Sequence, residues 1–553
     1  MSGLIRKWNE KVFLHKDQMA IYGESGGYSY NDLNSWIDQV SDRIKKMSDR
    51  EVVGVMIENS IEYVVCVIAS LKAGKGFVPI DIDFPADRKK HIVDECKLDL
   101  ILYKEGQDIK EQRINGIGCT KLYDDEIAYI LYTSGTTGSP KGIIISQDNL
   151  ENLIEWFGNQ YKIDKSSKIA QLARCTFDVS IEEIFGCLFN GGTLFIPPQS
   201  IKTHIEDMRN YIEKMGINMI QGVPIMIKEH FSGKEKIACL KTIISGGEAL
   251  SEELKNDILG IGYELYNNYG PTETTVDALS SRCNLNEPVN LGKSILNSDY
   301  VVLDDNNNPV ENGMTGELCI LGKNVAVGYI NAEENNNRFC LYNGERLYKT
   351  GDLVKIDKDL LIYIGRKDSQ VKVFGHRIEL EEIENAFCKA AGVKCCGATV
   401  LQGNRITIFY EHDHDVNSDS VMDSLKDMLP QYMLPYSFIR CKELPVTNHG
   451  KLDRSKLKSL IYENDNKKQE KSSCDELSEI ESAILLFAKG ALEDEAIELD
   501  LDTELMKVGM NSISFVTMII DIEDEFDIEF DDDSTISDFI SFRDISEYVS
   551  KMI

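Results

Sequence analysis

At 553 residues the chain exceeds what one hydrophobic core can organise, and length alone points to roughly three to four domains. A hydrophobic content of 42% with 27% charged residues fits a soluble globular protein, and a formal charge of −32 argues against nucleic-acid binding, which needs basic surface. The N-terminal MSGLIRKWNEKVFLHKD has no apolar centre long enough for a signal peptide, and no apolar run of about 18 residues marks a membrane span.

Taken in order, the first 366 residues or so alternate helical and strand periodicity in the manner of layered α/β domains. Ser35 to Met47 predicts an amphipathic helix, Glu51 to Ile57 a buried strand, Ser60 to Ala73 a helix and Gly76 to Ile80 a strand. The alternation recurs near Ile169, Thr193, Met219, Thr242 and Glu264. After Glu311, short strands separated by Gly and Asn turns predict a small β-rich subdomain, and from Asp368 to Leu460 the pattern becomes α+β. The polar stretch YENDNKKQEKSSCDE reads as a linker. Behind it, from Glu476 onward, 22 Asp and Glu face 4 Lys and Arg, so the last 78 residues carry more than half of the negative excess. Apolar residues recur through this acidic segment at helical spacing, which favours a separate folded module over a disordered tail. The fourteen cysteines are scattered without a C-x-x-C pair, a distribution expected of reduced thiols in the cytoplasm.

The motifs are more specific than the composition. Residues 132 to 142, YTSGTTGSPKG, follow the apolar run Ile127 to Tyr132 and combine three glycines, hydroxyls that include Ser134, Thr136, Thr137 and Ser139, and Lys141. Backbone amides, hydroxyls and a cation suit a polyphosphate. The string does not fit G-x-x-x-x-G-K-[ST], so it is not a Walker A loop. It resembles the phosphate loop of the adenylate-forming superfamily: acyl-CoA ligases, luciferases and the adenylation domains of nonribosomal peptide synthetases. LKAGKGFVPID (71–81) precedes it, and NNYGPTETT (267–275), YKTGDL (348–353) and GRKDSQVKVFGHRIELEEIE (365–384) follow, in the superfamily's order.

That resemblance implies a large multi-layer α/β domain (1–367) with a β-rich subdomain, and a mobile α+β domain (368–460). A linker (461–475) and an all-α four-helix carrier (476–553) would follow. It also assigns roles. Thr133, Ser134, Gly135, Thr136, Thr137 and Lys141 would hold phosphates of ATP. Tyr269 would stack on adenine, Thr272 bond the α-phosphate and Glu273 help coordinate Mg²⁺. Asp352 would take the ribose hydroxyls with Arg366 nearby, and Asp368 would be the hinge. PVTNHGKLDR, one residue longer than the family's final motif, supplies Lys451 as the catalytic lysine. Gly375 would lie in the loop that rebuilds the site for a thiol. Each residue alone has an ordinary explanation, such as a turn former or a core tyrosine; five long matches in one order do not.

TFDVSIEEIFG (176–186) addresses the acid. Asp178 matches the aspartate that pairs with an α-amino group, so the resemblance implies an amino-acid substrate. The remaining pocket positions carry over as Val179, Glu182, Gln221, Ile244, Gly246, Asn268, Val276 and Asp277. Two carboxylates in such a lining need a cation or donor to answer them. The expected side chain is therefore polar, best a basic one such as ornithine, lysine or arginine, with glutamine or another amide second.

In the acidic module, GMNS (509–512) opens an amphipathic helix. Helix capping is the ordinary role of such a serine. The unit nevertheless resembles acyl and peptidyl carrier proteins, which implies a 4′-phosphopantetheine arm on Ser512, with Asn511 where Asp is more usual. A phosphopantetheinyl transferase would install it, and the acidic helix would meet basic partner surfaces. With no room for a condensation or thioesterase domain, cargo is expected to pass in trans to a downstream condensation or tailoring enzyme, with or without a small activator protein. A coenzyme-A ligase releasing a soluble thioester, or a carrier scaffold loaded by another enzyme, are the competing expectations.

Overall fold

The computed structural model describes residues 2–106, 108–114, 126–134, 140–202, 205–331, 338–368, 370–373, 375–401, 405–412, 414–441, 443–445, 452, 454, 456–457, 479–492, 499–501, 503, 505, 508, 510, 512–526, 528, 530, 539 and 541–552. Gly135, Thr136, Thr137, Lys451 and the expected linker lie outside these residues. The chain divides into two compact units, Met1–Glu382 with Lys426–Tyr432, and Ile383–Leu425 with Met433–Ile553.

The first unit is built on two sheets. One runs in the order Lys293–Ser294, Leu279–Arg282, Glu264–Tyr269, Thr242–Ser245, Met219–Gly222, Lys168–Ala170, Thr193–Phe195, Met19–Gly23, Gly26–Ser29. Its central strands are parallel and buried, which is why their sequences (TIIS, MIQG) do not alternate. The other runs Gly328–Tyr329, Lys141–Ser146, Ile127–Thr133, Gly76–Pro79, Val52–Met56, Leu100–Glu105, Asp108–Arg113. Side chains from both sheets join one core, among them Ile21, Leu194 and Ile244 from the first and Val53, Phe77 and Tyr129 from the second. The helix Ile61–Lys72 is buried on nearly every face there, capped by the Ser60 hydroxyl on the Tyr63 amide. By contrast Tyr30–Met47 keeps one polar face, with Ser29 capping Asp32 and Lys45 and Lys46 in the last turn.

Strands Ser298–Leu303, Thr315–Gly322, Glu345–Asp357 and Phe339–Tyr342 form the β-rich subdomain, with Leu360–Arg366 paired on Glu345–Asp357. A hairpin, Gln370–Val373 with His376–Glu379, completes the first unit. Its turn needs Gly375. The φ of 78° is left-handed, and a Cβ there would sit 2.5 Å from Val223 Cγ1.

In the second unit, strands Cys396–Leu401, Arg405–Glu411 and Ser437–Cys441 pair in that order. The helices Glu479–Ala491, Ser512–Phe526 and Phe542–Met552 enclose their own core of Ile484, Leu505, Met518, Ile522, Phe542 and Ile545. Ser512 is the first residue of its helix, as the sequence pattern predicts. Among the described residues, no helix is long and apolar enough to cross a membrane.

Candidate active site

A cavity of about 330 Å³ opens at the carboxyl ends of the parallel strands Met219–Gly222, Thr242–Ser245 and Glu264–Tyr269. Ligands settle at that edge of open α/β sheets. Gln221, Gly246, Gly247, Tyr269 and Gly270 line it as the chain leaves those strands; Thr133 and Ser134 do so from the neighbouring sheet. Gly270 permits a tight approach, since a Cβ there would lie 2.1 Å from Val276 O. The returning chain then puts Thr275 and Val276 at φ 57° and 70°, a strained conformation for β-branched residues, costing about 1–3 kcal/mol each. Val276 and Asp277 thereby reach the cavity wall.

At one end, Asp352 is buried and doubly held. The Tyr269 hydroxyl donates to Oδ2 at 2.5 Å and Arg366 Nη1 to Oδ1 at 2.7 Å. Arg366 also binds Asp368 through Nε and Nη2, and Arg338 donates to Asp368 at 2.9 Å, which holds that carboxyl below its usual range against burial. Lys141 stands over the Tyr329 ring, 5.6 Å from its centroid. Tyr329 in turn donates to the buried Glu273 Oε1 at 2.7 Å.

Towards the other end, the Thr272 hydroxyl donates to Asp178 at 2.6 Å. Behind Asp178 lies a group of acidic side chains. Asp178, Val179, Gln221, Gly246, Val276 and Asp277 line the cavity. Glu182, Ile244 and Asn268 are not in its wall but buried behind it. Glu182 is 0% exposed, accepts from Gln221 Nε2 at 2.9 Å and has the Asp277 carboxyl beside it. Asn268 donates to Asp277, and its amide oxygen takes the Tyr161 and Ser280 hydroxyls at 3.1 and 2.7 Å. Burial, with Asp277 beside it, pushes Glu182 far above the ordinary carboxyl range. Burial, with Asp178 adding to it, pushes Asp277 up to about 7 despite its hydrogen bonds. Among the described residues no lysine or arginine forms an ion pair with Glu182 or Asp277.

Several lining residues have no counterpart in the sequence-based list. Lys372, from the hairpin, faces Asp352 and Asp178 while burial pulls its ammonium below the usual lysine range. His376 is stacked on Tyr432 (centroids 3.9 Å apart) and meets the Phe177 ring edge-on at 4.3 Å. Burial, then Arg174, lowers it to about 3, so it is neutral. Gly375 N–H donates to Glu248 at 2.7 Å, and Arg377 pairs with Glu273 at 2.7 Å. The motif around Gly375 was the available signal; the partners come from chain segments about 20 to 200 residues away.

A pocket that pairs a tyrosine-held aspartate with a threonine–carboxylate strip at the mouth of a parallel sheet is suited to binding a nucleotide against a small acid bearing an amino group. A model described as "AMP-binding enzyme" matches residues 8–330, and one described as "phosphopantetheine attachment site" matches 483–549. Zwittermicin A synthase ZmaJ of Bacillus cereus is 33% identical over 502 residues, which are 83% of this chain and 95% of that protein. Surfactin synthase subunit 2 of Bacillus subtilis (strain 168) is 33% identical over 481 residues, covering 81% of this chain but only 13% of that synthase. The fold of holo-PA1221, an NRPS protein containing adenylation and PCP domains bound to a vinylsulfonamide inhibitor, covers 94% of this chain and 92% of that chain with a TM-score of 0.76 at 23% identity.

The chain belongs to the AMP-binding enzyme family: it is an amino-acid adenylating ligase fused to a carrier domain. Its cofactors are ATP, Mg²⁺ and 4′-phosphopantetheine. Glu273 fits the metal chemically, being a buried carboxylate held below its usual range by Arg377 and Tyr329 against burial, and so ionised.

Proposed function

We propose that the amino acid has a hydrophilic side chain ending in a cation, of the ornithine, lysine or arginine type. The observation that carries this is the Glu182–Asp277 pair, Asp277 in the cavity wall and Glu182 buried directly behind it, with, among the described residues, only the Gln221 and Asn268 amides donating to them. Such a pair is costly in isolation and is answered by an incoming cation. In this assignment Asp178 takes the α-amino group, Thr272 the phosphate being attacked, and Asp352 with Arg366 the ribose. Lys451 neutralises the attacking carboxylate and phosphate as they approach. A substrate amide such as glutamine is the second choice, because the same pair in its protonated form donates and accepts hydrogen bonds.

The aminoacyl group then passes to the pantetheine thiol on Ser512 of the same chain, and from there in trans to a condensation or tailoring enzyme. The carrier's acidity supports docking on basic partners, a phosphopantetheinyl transferase among them. Pyrophosphate exchange across the twenty amino acids and ornithine tests the substrate. Basic amino acids are expected to give the highest kcat/KM; preference for Leu, Val or Phe over every polar substrate contradicts the assignment.

A further inference from the structure

Three cysteines lie where the helix Leu380–Ala391 gives way to the strand Cys396–Leu401. Cys388 Sγ and Cys396 Sγ are 3.5 Å apart and both half-buried, while Cys395 beside them is exposed. Cys396 has one S–H proton and a second acceptor for it, Glu384 O at 3.3 Å. Donated to Cys388, that proton holds the Cys388 thiol below its ordinary value against burial; the same bond, with burial, pushes Cys396 up. The pair thus sets a nucleophilic sulfur against a resolving thiol. Cysteines in the cores lack such a partner chemistry: burial pushes Cys96, Cys175 and Cys319 up to about 12.

The two thiols back onto the residues that follow Lys451 in the chain. Glu384 lies one helical turn before Cys388, on the same face. Its carboxylate accepts the Ala398 amide at 2.7 Å and takes Arg454 Nη2 on both oxygens, at 2.7 and 2.9 Å. Between Cys396 and Ala398, Gly397 leaves room for Leu452, since a Cβ there would lie 2.6 Å from Leu452 Cδ2. Leu452 and Arg454 are therefore seated on the same helix–strand junction as the cysteines.

We propose that Cys388 and Cys396 are a modification site for a hydroperoxide, a dithiol whose oxidation to a disulfide unseats Leu452 and Arg454 and so misplaces Lys451. The Cys388 thiolate attacks a peroxide oxygen: an S–O bond forms, the O–O bond breaks and hydroxide leaves. Cys396 then attacks the Cys388 sulfur, so that S–S forms, S–O breaks and the departing hydroxide takes the Cys396 proton as water. The two sulfurs give up two electrons, and the peroxide is reduced. Oxidised Cys396 has no proton for Glu384 O, and the cross-link draws helix and strand together beneath Glu384. The loss of activity rests on Lys451 being the catalytic lysine; formation of the disulfide does not.

The test treats the full-length protein with hydrogen peroxide and reads it by peptide mass mapping and by pyrophosphate exchange. The tryptic peptides of Cys388 and Cys396, separated by Lys389 and Lys394, should be joined until dithiothreitol is added. Exchange should fall about tenfold or more and recover with dithiothreitol, the scale expected when a catalytic group is misplaced by roughly 1 Å. Cys388→Ser and Cys396→Ser are expected to keep their unoxidised activity and lose both responses, and Cys395→Ala to keep both. No link, or a link that needs Cys395 in place of Cys396, overturns the site. Glu384→Gln, which keeps the shape of the side chain, should weaken exchange without oxidant; unchanged exchange in that variant overturns the coupling. A link formed with exchange intact also overturns the coupling when Lys451→Ala is inactive. If Lys451→Ala is active, the assignment of the catalytic lysine fails instead, and the joined peptides still support the modification site.

Discussion

The Thr272 hydroxyl donates to Asp178 at 2.6 Å, so the side chain expected at the α-phosphate and the one expected at the α-amino group are directly bonded. The contact orients Asp178 without neutralising it, and burial raises its carboxyl above the usual range. Asp178→Asn keeps the shape and removes the charge. It should lower kcat/KM for the preferred amino acid about 10–100-fold, the worth of a hydrogen bond to a charged group, while the KM for ATP changes far less. Equal loss on both substrates in pyrophosphate exchange would show that Asp178 supports the fold and not the amine.

With Asp277 raised to about 7, the proposed basic substrate should bind in a pH-dependent way. A basic side chain is charged throughout this range, so its affinity follows ionisation of the carboxyl. KM for that substrate should fall up to about tenfold between pH 6 and 8, and Asp277→Asn should flatten the profile. Stability runs the other way. The folded-state pKa lies above the unfolded one, so the unfolded chain holds fewer protons between them, and the folded state loses stability as pH rises from about 4 to about 7. Asp277→Asn removes that slope, which thermal melts at pH 5 and 8 can check.

Much of this site was legible in the sequence. TFD and the PTET run put Asp178 and Thr272 in the cavity wall, Glu273 lies outside that wall, and the alternation of buried strands marks the sheet edge beside it. The strand near Glu264 and the helix near Ser60 begin within a residue of the pattern because Ser60 caps and Tyr263 packs where the periodicity changes. Glu182 illustrates the limit. Helical spacing puts it on the face of Asp178, but a π-turn over Glu182–Gly186 and the reach of Gln221 decide that it lies behind the wall. Lys372, Arg377 and Tyr432 were out of reach, since their roles depend on where a hairpin docks and no local periodicity encodes that.

Gly375 is a sensitive point in that docking. Gly375→Ala meets both the left-handed backbone and the Val223 side chain. The strain, about 1–3 kcal/mol, should lower the rate of thioester formation about tenfold or more. Val223→Ala in the same chain should recover part of it by removing the steric contact, leaving the backbone cost. No recovery in single-turnover thiolation would mean that the contact is not what holds the turn.

The proposed assignment gives the two lysines different parts in the reaction. Lys141 stands beside Tyr329 on the polyphosphate side, and Lys451 is assigned to the bond-making side. Lys141→Ala should weaken pyrophosphate exchange partly and Lys451→Ala nearly abolish it, since only the latter cancels charge that builds in the transition state. Equal losses would contradict that division.

The central claim is that this chain selects a basic amino acid and loads it on its own carrier. Intact mass spectrometry of the phosphopantetheinylated protein, incubated with Mg·ATP and a pooled amino-acid mixture, tests it most directly. The account predicts a mass gain equal to an ornithinyl, lysyl or arginyl group that is absent in Ser512→Ala. A gain matching an apolar amino acid, or no gain on the carrier while a free thioester accumulates with added coenzyme A, would contradict it.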